Sequence, residues 1–171
     1  AETEQLRGED GARLAAASHM GAIATIEQIV AEEGIDCGFQ RLDGFLFLAD
    51  DDTPDTLQEE LEAARRAGLA VDLLLTGTPL GAADLGPSLR FAQQAHFHPL
   101  QYLAGLARAV TRMGGQIHCG TQVTKVHGGG ICTLETSGGL TVTADSVVIA
   151  THAPINDALG SLFSAGFYYK T

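Results

Sequence analysis

Apolar residues recur at helical spacing in three parts of the chain, and residues that start or stop helices bound each part. Gly34 stands where a C-terminal glycine belongs after the first apolar stripe. Pro54 and Pro99 each suit the first position of a helix, and Thr53 can cap the second helix. The pattern predicts helices over residues 9–33, 54–67 and 99–113. The third has an apolar side made of Leu100, Leu103, Ala107, Val110 and Met113.

Short runs rich in β-branched residues fill the second half of the chain, with glycine-rich turns between them. The triplets GGG at 128–130 and SGG at 137–139 separate three of these runs at hairpin spacing and predict a three-stranded meander. The run VVIA at 147–150 has the unbroken apolar character of a strand that is covered on both faces. The predicted strands are 45–49, 90–98, 116–119, 122–127, 131–136, 140–144 and 146–150, with 71–75 as a short strand or core segment.

This order of elements predicts an α/β (α+β) protein with two lobes that meet near residues 97–99. Residues 1–97 hold more helix, together with a mixed sheet. Residues 98–171 add a helix, a strand, the meander and a last apolar strand. The section 76–88 is rich in glycine and proline and is predicted to be an irregular connection.

Composition places the chain among globular proteins and narrows its partners. Of its 171 residues, 45% are hydrophobic and 18% are charged, which lies outside the range of disordered chains. A net charge of −11 would repel phosphate, so we expect neither nucleic acid nor an anionic membrane as a partner. No apolar run approaches the length that we expect of a membrane span. Three widely spaced cysteines argue for reduced thiols and a cytoplasmic location.

Several common site motifs are absent from the sequence. His127 with the following GGG is similar to the oxyanion segment of some esterases, but no G-x-S-x-G elbow occurs, so a hairpin turn is the better interpretation. His96 and His98 would face one side of a strand and could hold a metal. Spacing indicates no third ligand, although His118 is a further histidine in the sequence. We therefore predict no metal site.

Two stretches carry a family resemblance: HPLQYLAGLARAVTRMGGQIHCGTQVTKV at 98–126 and ADSVVIATHAPIND at 144–157. Together they resemble the FAD-dependent oxidoreductases of the D-amino acid oxidase superfamily. IDCGFQRLDGFLF at 35–47 and FAQQAHFHP at 91–99 further resemble a bacterial subgroup that often carries a C-terminal Rieske iron–sulfur domain.

The resemblance implies that residues 1–97 are part of a substrate-binding lobe and residues 98–171 part of an FAD-binding domain. The family's G-x-G-x-x-G unit and the Rieske ligand pairs do not occur in this sequence. We therefore expect a central fragment of a flavoenzyme, which by itself is inactive and binds FAD weakly or not at all.

The resemblance also assigns residues to the cofactor. In the family, the strand of type T-x-V holds the adenine end of FAD, so Val123 would bind adenine through its backbone and pack on the ring. Ligands of parallel sheets gather beyond the carboxyl ends of strands, where small residues let N–H groups approach a phosphate. The implied cofactor-binding residues are Val123, Ala150, Thr151 and His152. Without the resemblance, Val123 would be interpreted as a core residue and 150–152 as a plain strand exit.

In the family, the extended stretch before Pro99 runs close to the substrate side of the flavin. Gln94, His96 and His98 would alternate onto one face and present polar groups to a substrate amine or carboxylate. The opposite face would hold Phe91, Gln93, Ala95 and Phe97. His98 could instead cap the helix that follows it. No residue is assigned as catalytic, because the flavin performs the difficult chemistry.

These assignments predict a parent enzyme that oxidises the C–N bond of an amine or amino acid through FAD, with a Rieske domain as a candidate electron acceptor. The alternative is a non-catalytic binding or interaction module derived from the same fold. An upstream reading frame that encodes a strand, G-x-G-x-x-G and a helix would favour the enzyme.

Overall fold

The structure is a computed structural model that describes residues 1–49, 52–76 and 86–151. Its contacts divide the chain into two compact units, Ala1–Gly115 and Gln116–Thr171. The elements in chain order are α1 (Glu2–Glu33), β1 (Gln40–Phe47), α2 (Pro54–Arg66), β2 (Val71–Leu74), β3 (Ser88–His96), α3 (Pro99–Arg112), β4 (Val123–His127), β5 (Cys132–Thr136) and β6 (Thr141–Ala144). Helix α3 groups with the first unit, whereas we predicted a lobe boundary just before it.

All three predicted helices form, and glycine and proline set their limits. Helix α1 ends at Gly34, which adopts the left-handed conformation at φ 60° and donates its N–H to Val30 O. The helix begins earlier than predicted and is kinked at Gly8, whose φ is 71°. Helix α2 has Pro54 in its first turn, but the flanking Thr53 makes no side-chain hydrogen bond to it.

The first unit contains an antiparallel sheet in the order β1-β3-β2, so β3 is the central strand. Leu89 on β3 is fully buried and packs with Val71 on β2 and with the apolar side of α2. That side is made of Leu57, Leu61 and Ala64, whose spacing of three or four residues places them on one face of the helix. This cluster is the hydrophobic core that holds α2 to the sheet.

Helix α3 packs through its smallest residues. Gly105 and Ala109 are buried, and Gly105 lies against Ile35, where a Cβ would be 2.5 Å from Ile35 Cγ2. The large side chains of the predicted apolar side are exposed: Leu100, Leu103, Val110 and Met113. The face of α3 that is buried in the described part of the chain is therefore the one that carries Gly105 and Ala109.

The second unit contains the predicted meander, an antiparallel sheet in the order β4-β5-β6. The strands predicted at 116–119 and 146–150 do not form in the described part of the chain, so these two predictions are wrong. A strand exists only as part of a hydrogen-bonded ladder, and no described segment forms a ladder with either run. Val148 in the second run is accordingly 88% exposed.

By length and composition, helix α1 is apolar enough to cross a membrane, which corrects the expectation that no run approaches that length. The core helix of a soluble protein and a signal sequence meet the same criterion. Here Glu27 of α1 forms an ion pair with Arg41 on β1, and Met20 of α1 contacts Gln94 on β3. These contacts make α1 part of the first unit.

The close approach at Gly105 gives a prediction about stability. In the full-length protein, Gly105→Ala should lower the free energy of unfolding, because overpacking costs about 1–3 kcal/mol and helix propensity returns only about 1 kcal/mol. The matched control is Gly21→Ala on α1, where a Cβ would meet nothing within 4 Å. Gly21→Ala should raise the free energy of unfolding by about 0.5–1 kcal/mol. Urea denaturation measures the free energy of unfolding of both variants. Equal changes of the same sign in the two variants would contradict the close packing of Gly105 against Ile35.

Candidate functional site

The central strand β3 contains one extra residue relative to β1, and this bulge decides which side chains share a face. Gly44 is opposite Phe91 and Leu42 is opposite Gln94, so two steps along β1 match three along β3. The bulge includes Gln93, whose φ is 63°. Since Leu42 and Gly44 point to the same face, Phe91 and Gln94 do so too. The predicted alternation, with Phe91 on the other face, is therefore wrong.

A charged side chain holds the bulge. Arg41 on β1 donates from Nη1 to the carbonyl oxygen of Gln93 at 2.8 Å. The same guanidinium donates to Glu27 Oε2 from Nε at 3.1 Å and from Nη2 at 2.6 Å. This hydrogen bonding is the main cause that lowers the pKa of Glu27, and it raises the pKa of Arg41. Helix α1 is thus tied to the irregular backbone of β3 through one arginine.

An open cavity of about 250 Å³ lies between α1 and this part of the sheet. Its lining consists of Ala16, His19, Met20, Gly44, Leu69, Phe91 and Gln94. The amide nitrogen of Gln94 donates to Ala92 O at 3.2 Å and lies 3.7 Å from Met20 Sδ. Gly44 leaves room for this side chain, because a Cβ there would be 3.1 Å from Gln94 Cγ.

The three residues predicted for the substrate pocket have different surroundings. Gln94 lines the cavity, and His96 lies on the same face of β3 at its exposed end, opposite Gln40. His98 flanks α3, where its Nδ1 accepts the N–H of Gln101 at 3.4 Å. Capping is thus one role that His98 has. Among the described residues, no group of three or more His, Cys, Asp or Glu side chains could hold a metal ion.

The other face of the same sheet carries a charge cluster that we did not single out from the sequence. Arg90 Nη2 lies 2.5 Å from Asp72 Oδ2, and Nη1 lies 3.7 Å from Asp43 Oδ2. The hydrogen bond to Asp72 is the main cause that raises the pKa of Arg90. Arg90 Nε and the fully buried Ser88 Oγ have no hydrogen-bond partner in the described part of the chain. The pairing of three separate strands creates this cluster, so no local pattern could have revealed it.

In the second unit, Val123 lies on β4, an edge strand of the described sheet. It is opposite Thr136, but Thr136 N donates within its own turn, to Leu140 O at 2.9 Å. Ser137 N donates to Gln122 O at 2.9 Å, which is the pattern that flanks a non-hydrogen-bonded pair. The N–H and C=O of Val123 therefore point away from β5, to the open edge of the sheet.

The remaining predicted cofactor residues begin at the end of the run 146–150, most of which is exposed. Ala150 and Thr151 are exposed, and His152 lies outside the described residues. The structure thus describes Val123, Ala150 and Thr151 within one unit.

The open edge at Val123 fits the adenine end of FAD. An adenine carries a hydrogen-bond donor and an acceptor side by side on its edge, and an outward N–H and C=O from one residue provide the complementary pair. The half-buried side chain of Val123 supplies an apolar surface next to them.

The open edge in the second unit is compatible with a flavin-dependent oxidoreductase, and the family match establishes that class. The chain belongs to the DAO family of FAD dependent oxidoreductases, which matches residues 3–167. This membership confirms the resemblance predicted from the sequence, and FAD is the cofactor of the family.

The chain is also similar to three known proteins. It is 30% identical, over 162 residues and 94% of its length, to YhfW of Bacillus subtilis (strain 168), named as a Rieske 2Fe-2S iron-sulfur protein. It is 32% identical over 83 residues, 48% of its length, to OrdL of Rhizobium meliloti (strain 1021), named as an oxidoreductase. Glycine oxidase from Geobacillus kaustophilus matches 75% of the chain with a TM-score of 0.62 and 25% identity, which confirms the α/β fold class. The chain spans 31%, 19% and 36% of these three proteins, respectively.

The ion pair at the bulge predicts a pH dependence of stability. A carboxyl whose pKa is lower in the folded than in the unfolded chain stabilises the fold above the unfolded pKa, and this contribution is lost as the pH falls through the folded pKa. Glu27 is such a group, with an ordinary pKa of 4.5. We expect the free energies of unfolding of the full-length protein and Glu27→Gln to differ most at neutral pH and to converge in acid.

Urea denaturation as a function of pH measures this difference. The matched control is Glu59→Gln, which removes an exposed carboxylate of α2. A pH-independent difference for Glu27→Gln, or an equal effect of Glu59→Gln, would contradict the role of the Arg41 pair.

Proposed function

We propose that the full-length protein oxidises the C–N bond of an amine or amino acid through FAD. Membership of the DAO family makes the chain part of a flavin oxidoreductase. The observation that carries the substrate class is the fold similarity to a structure named glycine oxidase, with a TM-score of 0.62.

In this proposal, FAD supplies the redox chemistry by accepting a hydride from the carbon next to the substrate nitrogen. The second unit holds the cofactor. Val123 binds the adenine with its outward N–H and C=O. Ala150 and Thr151 are small enough for their backbone to approach the pyrophosphate, and the Thr151 hydroxyl and the following His152 add polar groups there.

The first unit binds the substrate. Gln94 and His96 share one face of β3, and the amide of Gln94 can both donate and accept a hydrogen bond. His98 uses Nδ1 for Gln101 N–H, which leaves its Nε2 for a polar group of the substrate. These side chains orient the substrate, and none of them is proposed to exchange a proton with it.

We further propose that the full-length chain carries a Rieske domain that accepts electrons from the flavin, and that the protein is cytoplasmic. Support for the Rieske domain is the 30% identity to YhfW, which is named as a Rieske protein. Support for the location is that Cys37, Cys119 and Cys132 are free.

Anaerobic reduction of the full-length protein tests this function. Amines such as glycine, sarcosine and phenylalanine should bleach the visible flavin absorbance, and the matched hydroxy acids should not, because only amines carry the reacting C–N bond. Electron paramagnetic resonance of the reduced sample should show a Rieske-type cluster. A colourless protein without flavin would favour a non-catalytic interaction module, and a yellow protein reduced by hydroxy acids alone would overturn the substrate class.

The adenine assignment predicts the effect of a charge at Val123. Val123→Asp in the full-length protein should weaken FAD binding by about tenfold or more, because a carboxylate next to the ring must lose its hydration. The matched control is Val142→Asp on β6, whose side chain is 51% exposed. Flavin content after dialysis, with circular dichroism as a check of folding, measures both. Equal flavin content in folded Val123→Asp and Val142→Asp would contradict the assignment.

A further inference from the structure

The cavity between α1 and β3 has the size of one small molecule. Its volume of about 250 Å³ exceeds the roughly 150 Å³ that holds a benzene ring in a protein interior. It lies below the range of about 300–1,000 Å³ that is common for drug-sized ligands. A single ring or a branched aliphatic group therefore matches the available space.

The backbone around the cavity is arranged at an energetic cost. A residue other than glycine in the left-handed region costs about 1–2 kcal/mol, and Gln93 occupies that region at φ 63°. This bulge is what brings Phe91 and Gln94 to one wall of the cavity. Backbone strain that persists in a fold is concentrated at functional sites. Gly44 adds to the opening, because a Cβ there would press on Gln94.

The lining also limits the chemistry of a ligand. Ala16, Met20, Leu69 and Phe91 make the walls apolar, and no Lys, Arg, Asp or Glu is among the lining residues. The Gln94 amide is an uncharged donor and acceptor on the wall, and His19 is an exposed residue of the lining. Such a site favours an apolar group with a neutral hydrogen-bonding atom, while a charged end would stay in the open mouth.

We propose that this cavity binds the side chain of the substrate, which is then an amine or amino acid with a single-ring or branched aliphatic side chain. The assignment rests on the proposed function for the identity of the substrate, but the binding site itself stands on the cavity. Ala16 is a specificity-determining residue, because a larger side chain there would fill the space that the substrate side chain needs.

Binding of benzyl alcohol to the full-length protein tests the site without any turnover. This probe carries one ring and a neutral hydroxyl and lacks the reacting amine. Isothermal titration calorimetry should show binding to the protein and to Ala17→Leu, whose position on α1 is exposed. Ala16→Leu should weaken binding by about tenfold or more. No binding of benzyl alcohol, or equal binding to Ala16→Leu and Ala17→Leu, would overturn the proposal.

A second variant keeps the test valid if Ala16→Leu does not fold. Gln94→Met keeps the volume of the side chain but removes its amide. The variant should weaken the binding of benzyl alcohol about tenfold. The binding of toluene, which has no hydroxyl, should be nearly unaffected. An equal loss of affinity for both probes, or no loss of affinity for either, would contradict recognition of the hydroxyl by the Gln94 amide.

Steady-state kinetics connect the cavity to the substrate. The ratio of kcat/KM for phenylalanine to kcat/KM for alanine, each as the accepted enantiomer, should fall about tenfold in Ala16→Leu and stay constant in Ala17→Leu. An unchanged ratio in folded Ala16→Leu would overturn the substrate-specificity part. If no amine is oxidised at all, the proposed function fails. The calorimetric titration with benzyl alcohol then still shows whether the cavity is a binding site.

Discussion

The pairing of β1 with β3 is the constraint on which the first unit depends. Two steps along β1 match three steps along β3, so the face of every residue after the bulge is set by one extra backbone position. The guanidinium of Arg41 bonds to the carbonyl of Gln93 and to Glu27, and so joins helix, edge strand and bulge. The position of Gln94 in the cavity follows from this register.

The second unit depends on a different property of sheets, the outward backbone groups of an edge strand that has no partner strand on that side among the described residues. Edge groups attract other chains unless something covers them, and in a flavoprotein the adenine can take that place. The outward backbone of Val123 and the exposed residues Ala150 and Thr151 belong to the same unit. Its small meander therefore presents polar backbone at one edge, and no apolar residue of the described part of this unit is buried.

Much of the fold was predictable from local sequence. Gly34 and Pro54 mark real helix limits, and the glycine triplets mark real hairpins, because these residues act through backbone geometry alone. The bulge was not predictable, since glutamine has no preference for the left-handed region that Gln93 occupies. The buried face of α3 was missed because the helix contacts the described part of the chain through Gly105 and Ala109, while Leu100 and its apolar neighbours are exposed there.

The candidate site was predictable only in part for the same reason. Val123 and Gln94 were chosen by family resemblance, but their geometry depends on pairing with other strands, which no local pattern contains. The cluster around Arg90 and the link from Arg41 to Glu27 join residues distant in sequence. The run 146–150 has the composition of a strand and lacks a pairing partner among the described residues, so composition alone misassigned it.

A crystal structure of the full-length protein with FAD is the most direct test of this account. It should show the adenine hydrogen-bonded to the N–H and C=O of Val123 at the edge of β4. An FAD molecule bound in the same protein without any contact to that edge would contradict the central claim that this chain supplies the adenine-binding side of a flavoenzyme.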